Sequence, residues 1–428
     1  MNRTLQTPND RLPAGRWRQS VQWLLGMCAL FAFSGASAQA LSGTYTICAS
    51  GCNYSTIGAA RTALQSNGVS GPVVFNVASG NYNESVTFGT ISGVSATNTV
   101  TFNGTGTSAT RIYNSSYPLY FNYTERVGFQ NITIEHTGSS YAIYGYYAKY
   151  LTFINCVIKT PATSGYPNYI NYCRELTYKN CRISGGYYGF FMYETSNTGR
   201  HTIENNRVTN YYYYGIYNYA YGCLTGSKWI GNYVDSNNTA NAYSYGIMSY
   251  YENGVTYKNN RFCESGKSYY AGQIYFPNYT STSVTSEFVN NFFGGGSYAG
   301  LFFYVNNANV KFLHNTIHCE TGTPQYGFYC YIGSSSAALD IRNNNFSKNS
   351  NGYAAYYSST SGYSYLDGNN YYNTGGSLAY FGGAHSSWSD FKTALATYNT
   401  DYEKYGMNMK PTFINPTGDL HYDPTTPA

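Results

Sequence analysis

Charge is scarce in this chain. Lys and Arg together number 24 and Asp and Glu 19 in 428 residues, giving a charged fraction of 10% and a formal net charge of +5 at pH 7. A nucleic-acid partner calls for a clustered basic face, and none is visible, so nucleic acid is not an expected partner. Chemically active side chains are equally sparse. No two aspartates are adjacent, and the six histidines, His136, His201, His314, His318, His385 and His421, are scattered along the sequence. Metal sites and thiol catalysis need ligands or a Cys-His pair at defined spacing, and no such spacing occurs. No metal and no cofactor are expected.

Long apolar runs are also missing. The strongest, Trp23 to Phe33, is too short for a comfortable membrane span. It follows a basic stretch with Arg3, Arg11, Arg16 and Arg18 and precedes Ala36-Ser-Ala38. That order describes a secretory signal peptide over residues 1–38, so the mature chain is expected outside the cytoplasm or at the cell surface, with no transmembrane segment. Its loss removes four Arg and one Asp, lowering the formal charge from +5 to +2. Export permits disulfides. Nine cysteines then remain: Cys48, Cys52, Cys156, Cys173, Cys181, Cys223, Cys263, Cys319 and Cys330. An odd number leaves at least one thiol free. Cys48 and Cys52 form the plausible local pair.

What is abundant is tyrosine, 53 residues, with 45 glycines, and tyrosine favours strands. A phrase recurs between Phe129 and Tyr371: apolar, any, Asn, Asn or Cys, any, apolar. Tyr178-Lys-Asn-Cys-Arg-Ile183 and Tyr257-Lys-Asn-Asn-Arg-Phe262 are clear copies. Its fourth position falls at Ile132, Cys156, Cys181, Asn206, Asn232, Asn260, Asn291, Asn315, Asn344 and Asn369, at spacings of 24 to 31 residues. Such a period with variable insertions is a solenoid, and units this short and rich in β-formers predict one β-helical coil each. The seven asparagines from Asn206 to Asn369 are expected to stack in one column at a turn, where Asn tolerates left-handed backbone and hydrogen-bonds to the chain. Cys156 and Cys181 fill the same slot, as stacked thiols or as a disulfide.

Ahead of the solenoid, residues 54–67 predict a short amphipathic helix, capped by Ser55 or Thr56 and closed by Gly68, with Ile57, Ala60 and Leu64 on one face. An open β-helix end needs such a cap. A strand at 73–77, a turn at Gly80-Asn-Tyr82 and a strand through Val86 and Phe88 follow. A second register reads Gly, apolar, aromatic, small, Tyr, as in Gly215-Ile-Tyr-Asn-Tyr219. With Ile216, Ile247 and Leu301 facing the core, alternation sends two columns outward. One holds Tyr144, Ile170, Phe191, Tyr217, Met248, Tyr275, Phe302 and Tyr329; the other holds Tyr146, Tyr172, Tyr193, Tyr219, Tyr250, Tyr304 and Tyr331.

The asparagine phrase and the coil length resemble the right-handed parallel β-helix, or pectate-lyase-like, superfamily. The opening, Tyr54-Ser-Thr-Ile through Gly71-Pro-Val-Val-Phe-Asn-Val77 and Gly80-Asn-Tyr-Asn-Glu84, resembles the start of secreted bacterial β-helix repeat proteins of surface or adhesin type. The tail, Trp388-Ser-Asp-Phe through Pro411-Thr-Phe, Gly418-Asp-Leu-His421 and Thr426-Pro-Ala428, is similar to that group's closing region. There the group's own sequence runs further, so either the chain is a fragment or its last coil is incomplete. The resemblance implies an all-β fold: signal peptide 1–38, N-terminal cap and first coils 39–110, β-helix 111–384, and a C-terminal cap region with a helical segment over 385–428.

The superfamily hosts lyases, hydrolases, esterases and binders, so the fold leaves function open. A polysaccharide lyase needs cations against the substrate carboxylate and a basic catalyst; Lys179, Arg182, Lys258 and Arg261, beside the asparagine column, are the residues available. Glu84 reads as a structural residue of the first coil. The aromatic columns suggest instead a wall on which sugar rings stack, with Tyr146, Tyr172, Tyr193, Tyr217, Tyr219, Tyr250, Phe302, Tyr304, Tyr329 and Tyr331 as the binding residues. The expected function is a non-catalytic surface or adhesin-type module whose partner is a polysaccharide or another cell-surface molecule. The alternatives are a carbohydrate-active enzyme and a structural spacer.

Overall fold

The computed structural model describes residues 39–161, 163–236, 243–263, 269–276, 284–295, 298–319, 325–333, 337–415 and 419–422. The expected signal peptide, 1–38, lies outside them. From Leu41 on, the chain winds as a right-handed parallel β-helix of about 12 turns. Each coil gives one short strand to each of three sheets. The first sheet has 13 strands, from Leu41–Ile47 to Tyr363–Asp367; the second has 12, from Gly80–Asn83 to Asn370–Asn373; the third has 13, from Val86–Phe88 to Ala384–His385. Pairing within the sheets is parallel except for the last pair of the third, Ser377–Phe381 with Ala384–His385, which is antiparallel. The segment Gly80–Asn83, expected as a turn, is a strand because its backbone pairs in register with Thr110–Asn114.

The interior is a set of apolar stacks. Phe75, Phe102, Phe129, Phe153 and Tyr178 follow one another in the first sheet with ring centroids 4.8, 4.9, 6.1 and 4.8 Å apart, all fully buried. Parallel in-register pairing brings every such side chain over its counterpart one coil away, so like residues meet like.

Two asparagine positions divide the work that the sequence assigned to one. The left-handed backbone belongs to the third residue of the phrase: Asn180, Asn205, Asn259, Asn290, His314 and Asn343 have φ between 54° and 57°, and Gly231 and Gly368 take the same slot at 65° and 67°. The fourth residue, with no left-handed φ, points inward as the ladder. Asn291 shows the pattern. Its Oδ1 accepts from Asn260 Nδ2 at 2.9 Å and from Asn260 N at 3.0 Å, while its Nδ2 donates to Asn315 Oδ1 at 3.0 Å and Tyr257 O at 2.9 Å. Asn206, Asn232, Asn260, Asn315, Asn344 and Asn369 continue the series. Every hydrogen-bonding site of a buried amide is thereby used. In the same column Cys156 and Cys181 are free, buried thiols, donating to the carbonyls of Phe129 and Phe153 at 3.4 and 3.3 Å.

Helix α1, Ile57–Asn67, packs against the terminal strands Leu41–Ile47 and Val86–Phe88. Thr56 Oγ1 accepts from Ala59 N at 2.9 Å, and the Glu84 carboxylate accepts from Ile57 N at 3.0 Å and Gly58 N at 2.8 Å. These are unpaired amides of the helix start, where a negative charge is favoured. Ile57, Ala60 and Leu64 are its buried face, and Gly68, with φ 68°, ends it. Cys48 and Cys52 are disulfide-bonded just before it. At the other end helix α2, Trp388–Tyr398, packs against the last strands of the third sheet and buries Phe391 and Leu395.

Candidate functional site: the tyrosine wall

The outer face of the third sheet carries the aromatic columns, and pairing fixes their membership. The first runs Tyr120, Tyr144, Tyr169, Phe191, Tyr217, Met248, Gln273, Phe302, Tyr329, Tyr356 and Tyr380. Ile170 and Tyr275 do not belong to it. Ile170 pairs with Gly145 and Met192 and is fully buried. The second column runs Tyr146, Asn171, Tyr193, Tyr219, Tyr250, Tyr275, Tyr304 and Tyr331. Tyr172 falls one residue past it, in the turn with φ 53°, where it stacks on Tyr147 at 4.9 Å. Both slips have one cause: the slot that holds Gly189, Gly215, Gly246, Gly300 and Gly327 is filled by Pro167 and Ala271 in these coils, and Gly272 stands one position later, so the glycine that marks the register is missing or displaced.

A third column was not anticipated: Tyr141, Tyr166, Tyr188, Tyr214, Tyr245, Tyr270, Ala299, Tyr326 and Tyr353. Strict alternation turns these residues inward. Alternation breaks at the residue that follows each of them, Gly or Ala in every coil but one, where it is Pro167, so Tyr141 and Tyr144 share the outer face with ring centroids 5.3 Å apart. At the glycines the space is tight: a Cβ on Gly215 would stand 2.6 Å from Gly246 O and 2.4 Å from Val234 Cγ1. The recurring Tyr-Gly pair was the available sequence signal.

The rings pack on each other between coils. Tyr120–Tyr144, Tyr169–Phe191, Phe302–Tyr329, Tyr329–Tyr356 and Tyr356–Tyr380 have centroids 4.4 to 5.0 Å apart and planes within 12° of parallel. Tyr193–Tyr219 and Tyr304–Tyr331 repeat this at 5.0 and 4.7 Å. Parallel rings this close must overlap face to face, since coplanar rings would collide. Faces are therefore covered within these stacked pairs, and only ring edges stay free there. This corrects the expectation of a flat stacking platform. Tyr217, Tyr219, Tyr250 and Tyr304 are half-buried. Crowding tells on their acidity: burial first, then neighbouring phenols, pushes Tyr141, Tyr245, Tyr250 and Tyr326 up to about 12.

The basic residues do not converge. Lys179 and Lys258 lie on the first sheet, three coils and roughly 14 Å apart at strand spacing, whereas Arg182 and Arg261 lie on the second, beyond the asparagine turn. Lys179 Nζ is engaged by Glu204 Oε1 at 3.1 Å, and Arg207, in register with Arg182, stacks over Tyr233 at 4.1 Å. Among the described residues no three His, Cys, Asp or Glu side chains are grouped as metal ligands, and no helix is long and apolar enough to cross a membrane.

One family model agrees with the architecture. Residues 63–232 match the family described as right handed beta helix region. No curated protein matches the sequence. Among solved structures, the A-module of a mannuronan C-5 epimerase from Azotobacter vinelandii aligns at 15% identity and TM-score 0.41, over 82% of this chain and 96% of that one. The Dettilon tailspike protein aligns at 12% identity and TM-score 0.41, over 76% and 66%. The pectin methylesterase of Aspergillus niger aligns at 14% identity and TM-score 0.34, over 89% and 95%. The chain has the right-handed parallel β-helix fold, and residues 63–232 carry the region that the family model describes.

Proposed function

We propose that this chain is a secreted, non-catalytic surface module of adhesin type that holds a glycan along the outer face of its third sheet. The observation that supports this reading is the regular comb of phenol edges. Where phenols stack without a break, as in Tyr275–Tyr304–Tyr331 and Tyr329–Tyr356–Tyr380, they present hydroxyls at strand spacing, about 4.8 Å, on side chains held by their neighbours. Hydroxyls held in place lose little entropy on binding, and phenols donate and accept toward sugar hydroxyls. Recognition is by hydrogen bonds along the glycan edge, and the ring faces serve to hold the comb rigid. Such a row suits an extended polymer lying parallel to the helix axis.

The test removes hydroxyls and keeps rings. Tyr217→Phe, Tyr219→Phe and Tyr304→Phe together should abolish retention on an insoluble polysaccharide carrying that glycan while the far-UV signal stays unchanged. Equal retention by wild type and the triple variant would leave the spacer reading in its place. Sustained release of unsaturated oligosaccharides that disappears in Lys258→Ala, Arg261→Ala would establish the lyase alternative.

A further inference from the structure

A different face of the helix carries an open groove of about 360 Å³, on the first sheet beside the turns that lead into it from the third. Its floor is Thr152, Thr177 and Thr202, which pair in register on successive strands. Among the described residues none of these hydroxyls is hydrogen-bonded within the protein. Three uncommitted hydroxyls thus stand in a row at one strand spacing, about 4.8 Å, close to the rise of one sugar along an extended chain. One wall is built by residues in left-handed turns, Tyr150, Glu175 and Arg200, with φ of 55°, 54° and 59°; Lys228 follows Thr202 in the floor.

The charge of the groove is positive. Glu175 is its one carboxylate, and Oε1 is shared by Arg174 Nε at 3.0 Å and by Arg200. Arg126 lies over the Tyr150 ring at 4.0 Å, covering a face that could otherwise stack on a base or a sugar. Lys228 has no carboxylate partner among the described residues and is exposed. Two cations, Arg200 and Lys228, therefore line the groove against one carboxylate, which Arg174 also engages, in a chain otherwise poor in charge. Charge-assisted hydrogen bonds to carboxylate or sulfate are the strong polar contacts such a site can make.

We propose that this groove is a second saccharide site, selective for a chain bearing carboxylate or sulfate groups. The threonine row bonds the sugar hydroxyls, and Arg200 and Lys228 pair with the acid groups. It is independent of the tyrosine wall, whose three described columns hold no cation.

Calorimetric titration of the full chain with sodium oligogalacturonate, a heparin-derived sulfated oligosaccharide, a neutral cello-oligosaccharide and a single-stranded DNA of matched charge tests this. Wild type should bind one or both acidic saccharides and neither the neutral sugar nor the DNA, and the two acidic probes decide between carboxylate and sulfate. Thr177→Val with Thr202→Val, and separately Lys228→Gln, should each weaken that binding at least about tenfold. Lys228 is exposed and unpaired, so its variant keeps the fold whatever the threonine pair does. The triple Phe variant of the wall should bind the acidic probe as wild type does. Failure of both acidic saccharides to bind, equal binding of DNA or of the neutral sugar, or wild-type affinity in Lys228→Gln would overturn the proposal. Loss in the triple Phe variant alone would place acidic saccharides on the wall and equally overturn it.

Discussion

Glu403 closes the asparagine ladder: its Oε1 accepts from Asn369 Nδ2 at 2.6 Å and its Oε2 from Asn369 N at 3.0 Å. Tyr371 adds its hydroxyl at 2.7 Å, and the carboxylate is fully buried. The residue thus takes, from outside the repeat and on two oxygens, the two hydrogen bonds that the single Oδ1 of a following ladder asparagine would have accepted. Burial pushes its pKa up to about 7, against the opposing pull of the Asn369 and Tyr371 hydrogen bonds.

That shift fixes a pH dependence. The unfolded carboxyl, near its ordinary 4.5, loses its proton before the folded one does. Stability is therefore unaffected below about 4.5, falls as pH rises toward 7, and is flat above, a loss on the order of 3 kcal/mol. Denaturant midpoints for wild type and Glu403→Gln at pH 5 and pH 8 check this. The variant should show the smaller decline. The comparison is made between the two proteins because His318, lowered to about 4 by burial, works in the opposite direction below its unfolded value.

The two asparagine columns should respond differently to substitution. Asn291→Ala takes the acceptor from the Asn260 amide and from one hydrogen of Asn260 Nδ2, and a donor from the Tyr257 carbonyl; Asn315 Oδ1 keeps its bond from the backbone N of residue 291. Buried groups left unpaired cost about 1–3 kcal/mol each, so a loss of about 4 kcal/mol or more is expected by urea unfolding. Asn290→Gly, one residue away, should stay within about 1 kcal/mol of wild type. Glycine relieves its left-handed backbone, and Gly231 and Gly368 already fill that slot elsewhere.

Within the wall, ring and hydroxyl should separate. Tyr329 lies between Phe302 at 4.8 Å and Tyr356 at 5.0 Å. Tyr329→Ala removes two stacks and their apolar area, about 2–3 kcal/mol in sum. Tyr329→Phe should change stability by less than about 0.5 kcal/mol. Thermal unfolding of the pair decides whether stacking holds the wall together.

Alkali should unfold the protein through the same wall. Tyr141, Tyr245, Tyr250, Tyr275 and Tyr326 titrate up at about 12 when folded, burial being the leading cause. The unfolded phenols lose their protons first, near 10, so stability drops as pH climbs from 10 to 12. Phenolate absorbance followed together with circular dichroism should show a steep joint transition above pH 10. Phenolate appearing gradually with no loss of structure would contradict the burial.

Thiol reactivity gives a simpler check. Of the seven free cysteines among the described residues Cys223 alone is half-buried, and the six others are buried. Burial also raises the Cys223 thiol well above its ordinary value, and only the thiolate reacts. A maleimide reagent should label Cys223 slowly in the folded protein and all seven in denaturant, read by peptide mass spectrometry.

Much of this molecule is written in its repeat. A phrase every 24 to 31 residues is enough to predict a solenoid, since only a stacked coil returns the same residues to the same environment at that interval. Ile57, Ala60 and Leu64 at helical spacing, with Thr56 before and Gly68 after, mark out a capped helix from local chemistry alone. The inward-facing Leu176, Tyr178, Val255 and Tyr257 follow from alternation. All of these depend on near neighbours in sequence.

What only the tertiary structure decided depends on neighbours one coil away. Which of two adjacent asparagines turns the chain and which builds the ladder is set by whether Oδ1 meets the amide of the coil before. Alternation failed for the third tyrosine column because it breaks at the residue that follows each tyrosine, and the space there is limited by the carbonyl of the coil above, as at Gly215 and Gly246. The direction the rings face, edge outward, arises from contact between residues some 25 apart in sequence, as between Tyr304 and Tyr331. The groove on the first sheet was invisible for the same reason. Thr152, Thr177, Thr202 and Lys228 look unremarkable in four separate coils, and parallel register is what sets them in one row.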